Sequence, residues 1–261
     1  MTITDDTPMI RTETGDAPLL SIRGLEKRFV LHEVDGREII GLRGVDLDVA
    51  EGEHVALAGT SGAGKSSLLK CVHRTYLADA GSITYRCADG TTVDLVRLAD
   101  HEVADLRSRE IGYVSQFLRA EPRRGVLDVV SRSAVRMGLA ADAARDAAAS
   151  VLRRLAIGEE LWQTYPTLLS GGEKQRVNLA SGIVVPPRLL LLDEPVSALD
   201  PANRAAVLDV IADLTGSGAS VLSVFHDLDA MQRLADRIVD LADGRVVTDT
   251  RTLPVSEGGP R

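Results

Sequence analysis

Cysteine, long apolar runs and net positive charge are all scarce in this sequence, and each scarcity excludes a class of protein. Two cysteines occur in 261 residues, Cys71 and Cys87, without CxxC or metal-ligand spacing. A disulfide framework is therefore excluded, and two thiols in a reducing compartment are expected instead. No apolar run approaches the roughly 20 residues that a membrane span requires. The formal net charge of −8 argues against a broad basic surface, so we expect no nucleic-acid partner.

The two ends of the chain differ in composition from its middle. Residues 1–18 are rich in Thr, Asp and Pro, and they lack the basic start and apolar centre of a secretion signal. They therefore predict a disordered tail and a cytoplasmic protein. Residues 252–261 are rich in Gly and Pro and predict a flexible tail. The length between them, residues 19–251, suits one large α/β domain with a subdomain set into it.

Strand and helix patterns alternate along residues 19–251, which predicts an α/β fold. A stretch rich in helix formers interrupts the alternation, and we expect an inserted helical subdomain at about 118–182. The predicted strands are residues 21–23, 39–42, 45–49, 54–58, 83–85, 93–95, 111–115, 189–192, 220–225, 238–241 and 245–247. The predicted helices outside the subdomain are residues 66–73, 203–214 and 228–234.

The pattern GxxxxGK[ST] occurs once, between the first buried-type strand and the helix that follows it. Its members are Gly59, Thr60, Ser61, Gly62, Ala63, Gly64, Lys65 and Ser66. The glycines let backbone N–H groups converge on phosphate oxygens, and the helix points its positive end at them. Lys65 is expected to reach the β- and γ-phosphates of ATP, Ser66 to ligate Mg²⁺ and Ser67 to donate to a phosphate. A plain glycine-rich turn is the alternative, and the strand–turn–helix setting argues against it.

Two adjacent carboxylates end the apolar strand at residues 189–192. The carboxyl ends of strands in an open α/β sheet are where ligands bind. Asp193 is therefore expected to hold Mg²⁺, and Glu194 to act as the general base that polarises the attacking water. Alone, an apolar strand that ends in Asp-Glu is as often structural as functional, and its position downstream of a phosphate loop favours function.

A second anion-binding helix start is predicted at Ser170, Gly171, Gly172 and Glu173. Ser170 can cap the helix, while the two glycines leave its N-terminal N–H groups accessible. The simplest use of a second such site is to bind the γ-phosphate held by another subunit. A helix cap preceded by a glycine turn is the structural alternative.

Together these segments resemble the Walker A, signature and Walker B motifs of the ABC ATPase family, in that family's order and over residues 19–250. The resemblance implies an α/β P-loop NTPase with a RecA-like core sheet, an N-terminal antiparallel β subdomain and an inserted helical subdomain. Gln116 resembles the glutamine that senses Mg²⁺ and is expected among its ligands. His226 resembles the switch histidine at the γ-phosphate, and Phe29 the ring that stacks on adenine. Residues 197–200, which end at Asp200, resemble the D-loop at the dimer interface. The family's pattern implies two ATP molecules with Mg²⁺ between two ABC subunits, identical or different.

Other segments resemble the ATP-binding subunit of the phosphonate carbon–phosphorus lyase system. They are residues 29–32, 112–119 with 122–123, 161–162, 170–178 and 224–227. This resemblance implies a partnership with the lyase core complex in phosphonate metabolism. The alternative is the nucleotide-binding subunit of a transporter of the lipoprotein-release or export type, which would drive a membrane permease from a membrane-peripheral position. A non-catalytic scaffold is disfavoured, because it would not need the general base Glu194.

Overall fold

The computed structural model describes residues 17–31, 37–116 and 123–252. Most of the two predicted tails, His32 and residues 117–122 lie outside these ranges. The strands are β1 (Leu20–Leu31), β2 (Arg37–Val49), β3 (His54–Ala58), β4 (Ala80–Arg86), β5 (Thr92–Asp94), β6 (Ile111–Val114), β7 (Leu189–Asp193), β8 (Ser220–Val224), β9 (Arg237–Ala242) and β10 (Arg245–Arg251). The α-helices are α1 (Lys65–Val72), α2 (Asp100–Arg109), α3 (Val126–Arg136), α4 (Ala141–Arg154), α5 (Gly171–Ile183), α6 (Pro201–Gly216) and α7 (Leu228–Leu234). Short 3₁₀ helices cover Glu159–Leu161 and Pro166–Leu168.

The larger sheet has the strand order β10-β9-β3-β8-β7-β6. Strands β9, β3, β8, β7 and β6 run parallel, and β10 pairs antiparallel with β9. Strands β3, β7 and β8 are buried along their whole length. This burial explains why their sequences are mostly apolar without a regular apolar–polar alternation, since a parallel strand covered on both faces does not alternate. The loops that follow β3, β6, β7 and β8 therefore meet at one edge of the sheet.

The smaller sheet is antiparallel, with the order β2-β1-β4-β5. Strands β1 and β2 pair along almost their full length, with shifts in register that mark bulges. The pairing sets Phe29 opposite Ile39, at the end of the hairpin that faces the phosphate loop. Residues from this sheet share one apolar core with α1 and one face of the large sheet. The arrangement agrees with the predicted N-terminal antiparallel subdomain beside a core sheet.

Three helices, α3, α4 and α5, pack together within the span expected to be helical, and their core continues onto the other face of the large sheet. Helix α5 lies very close to β6. A Cβ at Gly182 would lie 2.5 Å from Val114 Cγ2, and one at Gly112 would lie 2.8 Å from Pro187 Cγ. Both positions require glycine for this contact. The contact fixes the helix that carries Ser170 and Glu173 against the large sheet.

Several boundaries differ from the sequence prediction. Helix α2 was not predicted at all, and β1 and β2 are longer than the runs at 21–23, 39–42 and 45–49. Helix α6 begins at Pro201 rather than at 203, because the side chain of Asp200 caps it immediately before Pro201. Among the described residues, none of the helices has the length and hydropathy needed to cross a bilayer.

Candidate functional site

The phosphate loop lies between β3 and α1, as the sequence predicts. Lys65 Nζ donates to the carbonyl oxygens of Gly59 at 2.6 Å and Thr60 at 2.8 Å, so the ammonium is held under the loop. Burial lowers the pKa of Lys65, while the charges of Glu194, Asp240 and Asp193 act in the opposite direction. The result is a cation fixed beside the N-terminus of α1, which is the arrangement that phosphate oxygens require.

Gly64 caps α1 in the left-handed region, with φ at 104°. A Cβ there would lie 2.4 Å from the carbonyl oxygen of Gly41 on β2. A side chain is therefore excluded by both the backbone conformation and the close approach. This contact joins the phosphate loop to the antiparallel sheet.

The magnesium candidates Ser66 and Asp193 are brought together across 127 residues of sequence. Ser66 Oγ donates to Asp193 Oδ1 at 2.7 Å, and the Tyr113 hydroxyl donates to Asp193 Oδ2 at 3.2 Å. The His73 ring stacks on Tyr113 with 4.6 Å between centroids. A hydroxyl and one carboxylate are the oxygen ligands that Mg²⁺ uses when nucleotide phosphates supply others. Among the described residues there is no cluster of three or more His, Cys, Asp or Glu side chains that could hold a metal. A Mg²⁺ site formed by Ser66, Asp193 and nucleotide phosphates does not require such a cluster.

Glu194 is the point where three loops converge. Its carboxylate accepts from Gln116 Nε2 at 3.1 Å and lies 2.6 Å from His226 Nε2. Its backbone has φ at 55°, and its N–H donates to the Val224 carbonyl at 3.1 Å. A non-glycine residue in this region is strained and persists only when its surroundings hold it. Gln116, predicted also as a metal ligand, contacts the candidate base rather than Asp193.

A pocket of about 220 Å³ lies over the phosphate loop. Its lining residues are Phe29, Ile39, Ile40, Gly41, Ser61, Gly62, Ala63, Gly64, Lys65, Ser66, Ser67, Glu194 and His226. Phe29 packs edge-on against Tyr76, with 5.2 Å between ring centroids, and stays half-buried at the rim. Most of the predicted phosphate-loop residues, the candidate base Glu194 and the aromatic Phe29 thus share one pocket.

The signature residues lie outside that pocket. Ser170 Oγ accepts from the Glu173 N–H at 3.3 Å, and Glu173 accepts from the Ser170 N–H at 2.7 Å, which forms a capping box. The hydrogen bond from the Ser170 N–H lowers the pKa of Glu173. The exposed start of α5 is therefore preorganised, with open space at Gly171. Asp200 caps α6 by accepting from Ala202 and Asn203 N–H groups, each at 3.1 Å.

A second cavity, of about 680 Å³, shares Glu194 and His226 with the phosphate pocket. Its other lining residues are Val196, Ser197, Leu199, Arg204, Phe225, Asp227, Leu228 and Asp229. Arg204 and Asp227 form an ion pair on its wall. Glu194 and His226 are therefore accessible from two sides.

The family model for ABC transporter domains matches residues 42–197 of the chain. The matched span holds the phosphate loop, the signature and both Walker B carboxylates, and it is more than half of the sequence. The chain belongs to the ABC transporter ATPase family. It is an ATPase, and its ligands are ATP and Mg²⁺.

Curated ABC relatives include a macrolide export ATP-binding/permease protein of Paracoccus denitrificans, 38% identical over 249 residues. That match covers 95% of this chain and 36% of the relative. A methionine import ATP-binding protein of Thermobifida fusca is 35% identical, over 85% of this chain and 68% of the relative. The chain spans about a third of the length of the macrolide-export relatives that it matches.

Solved ABC structures share the fold. The ATP-binding cassette MJ0796 in a dimeric post-hydrolysis state bound to ADP and Pi has a TM-score of 0.81 and 26% identity, over 90% of this chain and 99% of that one. A second dimeric structure of the same bacterial ABC transporter cassette gives the same values. The predicted ABC-type P-loop fold is confirmed.

Two part-buried contacts of this ABC site were missed from the sequence. Tyr113 hydrogen-bonds Asp193, and Gln175 of α5 contacts the backbone of the Glu194 loop. Both residues lie in segments that carried the lyase resemblance, 112–119 and 170–178, but neither was assigned a role there. A polar residue within the apolar run at 111–114 was the available signal for Tyr113.

Proposed function

We propose that this chain hydrolyses ATP at a composite interface formed with a second copy of itself, and that closure of the interface drives a partner protein. The observation that carries the proposal is the convergence of Gln116, Glu194 and His226 beside the phosphate loop. The signature residues lie outside the pocket of their own chain, which supports their use on the nucleotide of another copy. The dimeric form of the MJ0796 cassette supports the same arrangement.

Each residue has a distinct task in the proposed reaction. Lys65 and the loop N–H groups bind the β- and γ-phosphates, and Ser66 with Asp193 would hold Mg²⁺, which neutralises charge on those oxygens when bound. The Glu194 carboxylate accepts a proton from the attacking water. The water oxygen bonds to the γ-phosphorus as the bond from that phosphorus to the β,γ-bridging oxygen breaks, and ADP leaves. His226 and Gln116 orient that carboxylate and then contact the γ-phosphate and its water. Ser170 and the first N–H groups of α5 complete the γ-phosphate site of the other copy.

Replacement of Glu194 by Gln tests the base assignment. The amide keeps the size and the contact with Gln116 but cannot take a proton, so turnover should fall by about 10²-fold or more. ATP affinity should be retained, and size-exclusion chromatography with ATP and Mg²⁺ should show a stable dimer. Hydrolysis at the wild-type rate would show that Glu194 is not the base.

The partner that fits the relatives is a membrane permease. The macrolide-export and methionine-import relatives are transporter components by name. In this proposal the chain lies at the membrane surface, and ATP-driven closure moves the permease.

A second candidate partner is the phosphonate carbon–phosphorus lyase core complex. The observation that favours it is the resemblance of residues 112–116, 161–162 and 224–227 to the ATP-binding subunit of that system. The relatives named above do not include such a subunit, so this hypothesis rests on the sequence segments alone. Both candidates use the same ATPase chemistry.

Affinity capture of the tagged chain from native cytosol and native membranes separates the two partners. Membrane-bound recovery of a permease supports the transporter proposal. Recovery of lyase core subunits from cytosol with no permease would overturn it in favour of the lyase. The Glu194→Gln variant with ATP serves as the closed-state bait, and Lys65→Ala serves as the control that lacks nucleotide binding.

A further inference from the structure

The loop from Glu194 to Asp200, here called the 194–200 loop, is clamped by one buried side chain of the signature helix. Gln175 is 4% exposed. Its Nε2 donates to the Glu194 carbonyl at 2.5 Å, and its Oε1 accepts from the Ala198 N–H at 2.9 Å. The amide thereby spans the loop and uses both of its polar atoms on backbone groups.

The next residue of the same helix holds the far end of the loop. Arg176 Nη1 donates to Asn203 Oδ1 at 2.6 Å, and Asn203 Nδ2 donates to Asp200 Oδ2 at 2.5 Å. Arg176 Nη1 also donates to the carbonyls of Leu155 and Ala156 after α4. Two consecutive residues of α5 therefore connect both ends of the 194–200 loop to the signature helix.

The first turn of α5 also packs directly on this loop. A Cβ at Gly172 would lie 3.3 Å from the Ala198 carbonyl and 3.4 Å from Leu199 Cδ2. A shift of the helix start therefore presses on the loop backbone, since packed interiors are dense and transmit strain.

We propose that Gln175 is a positioning residue that couples the signature end of α5 to the candidate base Glu194 of the same chain. The proposal rests on the proposed function, in which α5 contacts the ATP of one site while Glu194 serves the ATP of the other. Contact of Ser170 with a γ-phosphate across the interface then shifts α5, and Gln175 carries the shift to the Glu194 backbone. Nucleotide occupancy at one site thereby determines the position of the base Glu194 at the second site.

The physical reason lies in the backbone of Glu194. Its φ of 55° is an unfavourable conformation that external contacts must hold. Loss of the Gln175 amide would leave the Glu194 carbonyl and the Ala198 N–H without this partner. A buried polar group without a partner destabilises the conformation that buries it, so the loop is expected to relax and carry Glu194 away from its place.

Replacement of Gln175 by Met, which has similar length and no hydrogen-bonding amide, tests the proposal in the full chain. We expect kcat to fall by about 10-fold or more while the affinity for a fluorescent ATP analogue stays within about twofold. We also expect ATP to protect the amides of residues 194–200 from hydrogen exchange in the Glu194→Gln background, and this protection to vanish when Gln175→Met is added. If Gln175 had a merely structural role, the substitution would lower thermal stability without reducing kcat selectively relative to the affinity for the ATP analogue.

Ser197→Ala provides a milder second variant. Ser197 Oγ donates to the Glu194 carbonyl and accepts from Gln175 Nε2, each at 3.3 Å. Its loss should lower kcat by about 2- to 5-fold and be non-additive with Gln175→Met, as expected for residues in one network. Gln232→Met, the same substitution on the exposed side of α7, is the matched control and should behave as wild type.

Three results would overturn the coupling. They are an unchanged kcat in Gln175→Met, ATP-induced protection of residues 194–200 that survives the change, and full additivity with Ser197→Ala. A wild-type chain that hydrolyses ATP at full rate as a monomer would instead refute the proposed composite interface, so the two failures are distinguishable.

Discussion

The buried residue His54, at the start of the strand that precedes the phosphate loop, makes the stability of the folded chain sensitive to mild acid. The residue begins β3 and is fully buried, with Nε2 2.8 Å from Ser223 Oγ. Burial lowers the pKa of His54 to about 3 from its ordinary value of about 6.5. The unfolded chain therefore binds a proton at pH values where the folded chain does not.

The sign and size of the effect follow from linkage. Above the unfolded pKa neither state is protonated at His54, so the full stability is present. As the pH falls below about 6.5 the unfolded state gains a proton at His54. At about pH 5 this protonation lowers the free energy of unfolding by about 2 kcal/mol. A typical domain has a free energy of unfolding of roughly 5–15 kcal/mol, so this loss is a large part of the total.

His54→Gln removes the titration and keeps a polar side chain near Ser223. Urea unfolding followed by circular dichroism, at about pH 7 and about pH 5, gives the free energy of unfolding at each pH. The pH-dependent loss in the variant should be about 2 kcal/mol smaller than in the wild type. His101→Gln on the exposed face of α2 is the matched control and should keep the wild-type difference. Equal pH dependence of the His54 variant and the wild type would refute the reasoning.

Two further predictions concern the ATP site. Tyr113→Phe removes the hydrogen bond to Asp193 but retains the ring against His73. The Mg²⁺ concentration for half-maximal ATPase activity should therefore rise by about 3- to 10-fold. An unchanged Mg²⁺ titration would contradict a role of Tyr113 in holding Asp193. Gly64→Ala places a Cβ on the Gly41 carbonyl, so binding of a fluorescent ATP analogue should weaken by about 10-fold or more. Gly90→Ala, also at a positive φ but in open space, is its control, and equal binding by the two variants would show that the Gly41 contact is unimportant.

The features predicted best from the sequence are those encoded locally. The phosphate loop is one uninterrupted segment, and the strand before it is apolar from Val55 to Ala58 because both of its faces are buried. Ser170 and Glu173 carry their own capping box within four residues. Such motifs need no knowledge of distant partners, so both their place and their local structure follow from the residues.

The features that were missed depend on contacts between distant parts of the chain. Helix α2 is largely polar and Val103 is its one buried residue, so it has little periodic signal. Gln175 and Tyr113 meet their partners 19 to 23 and 80 residues away. Phe29 was expected at the nucleotide from the family resemblance alone, and it is the β1–β2 register that explains how the ring reaches the pocket.

The central claim is that each ATP site is completed by the signature of a second copy, and complementation between two inactive variants tests it most directly. Lys65→Ala removes the phosphate-binding cation, and Ser170→Arg blocks the signature. Each variant alone should lack ATPase activity. An equimolar mixture should regain ATPase activity, with about a quarter of the wild-type rate as the upper limit, because half of its dimers contain one intact composite site of two. The proposed coupling lowers the rate below that limit, because the second site of each mixed dimer is empty. A mixture that stays inactive, although the two variants are shown to form mixed dimers, would contradict the composite site.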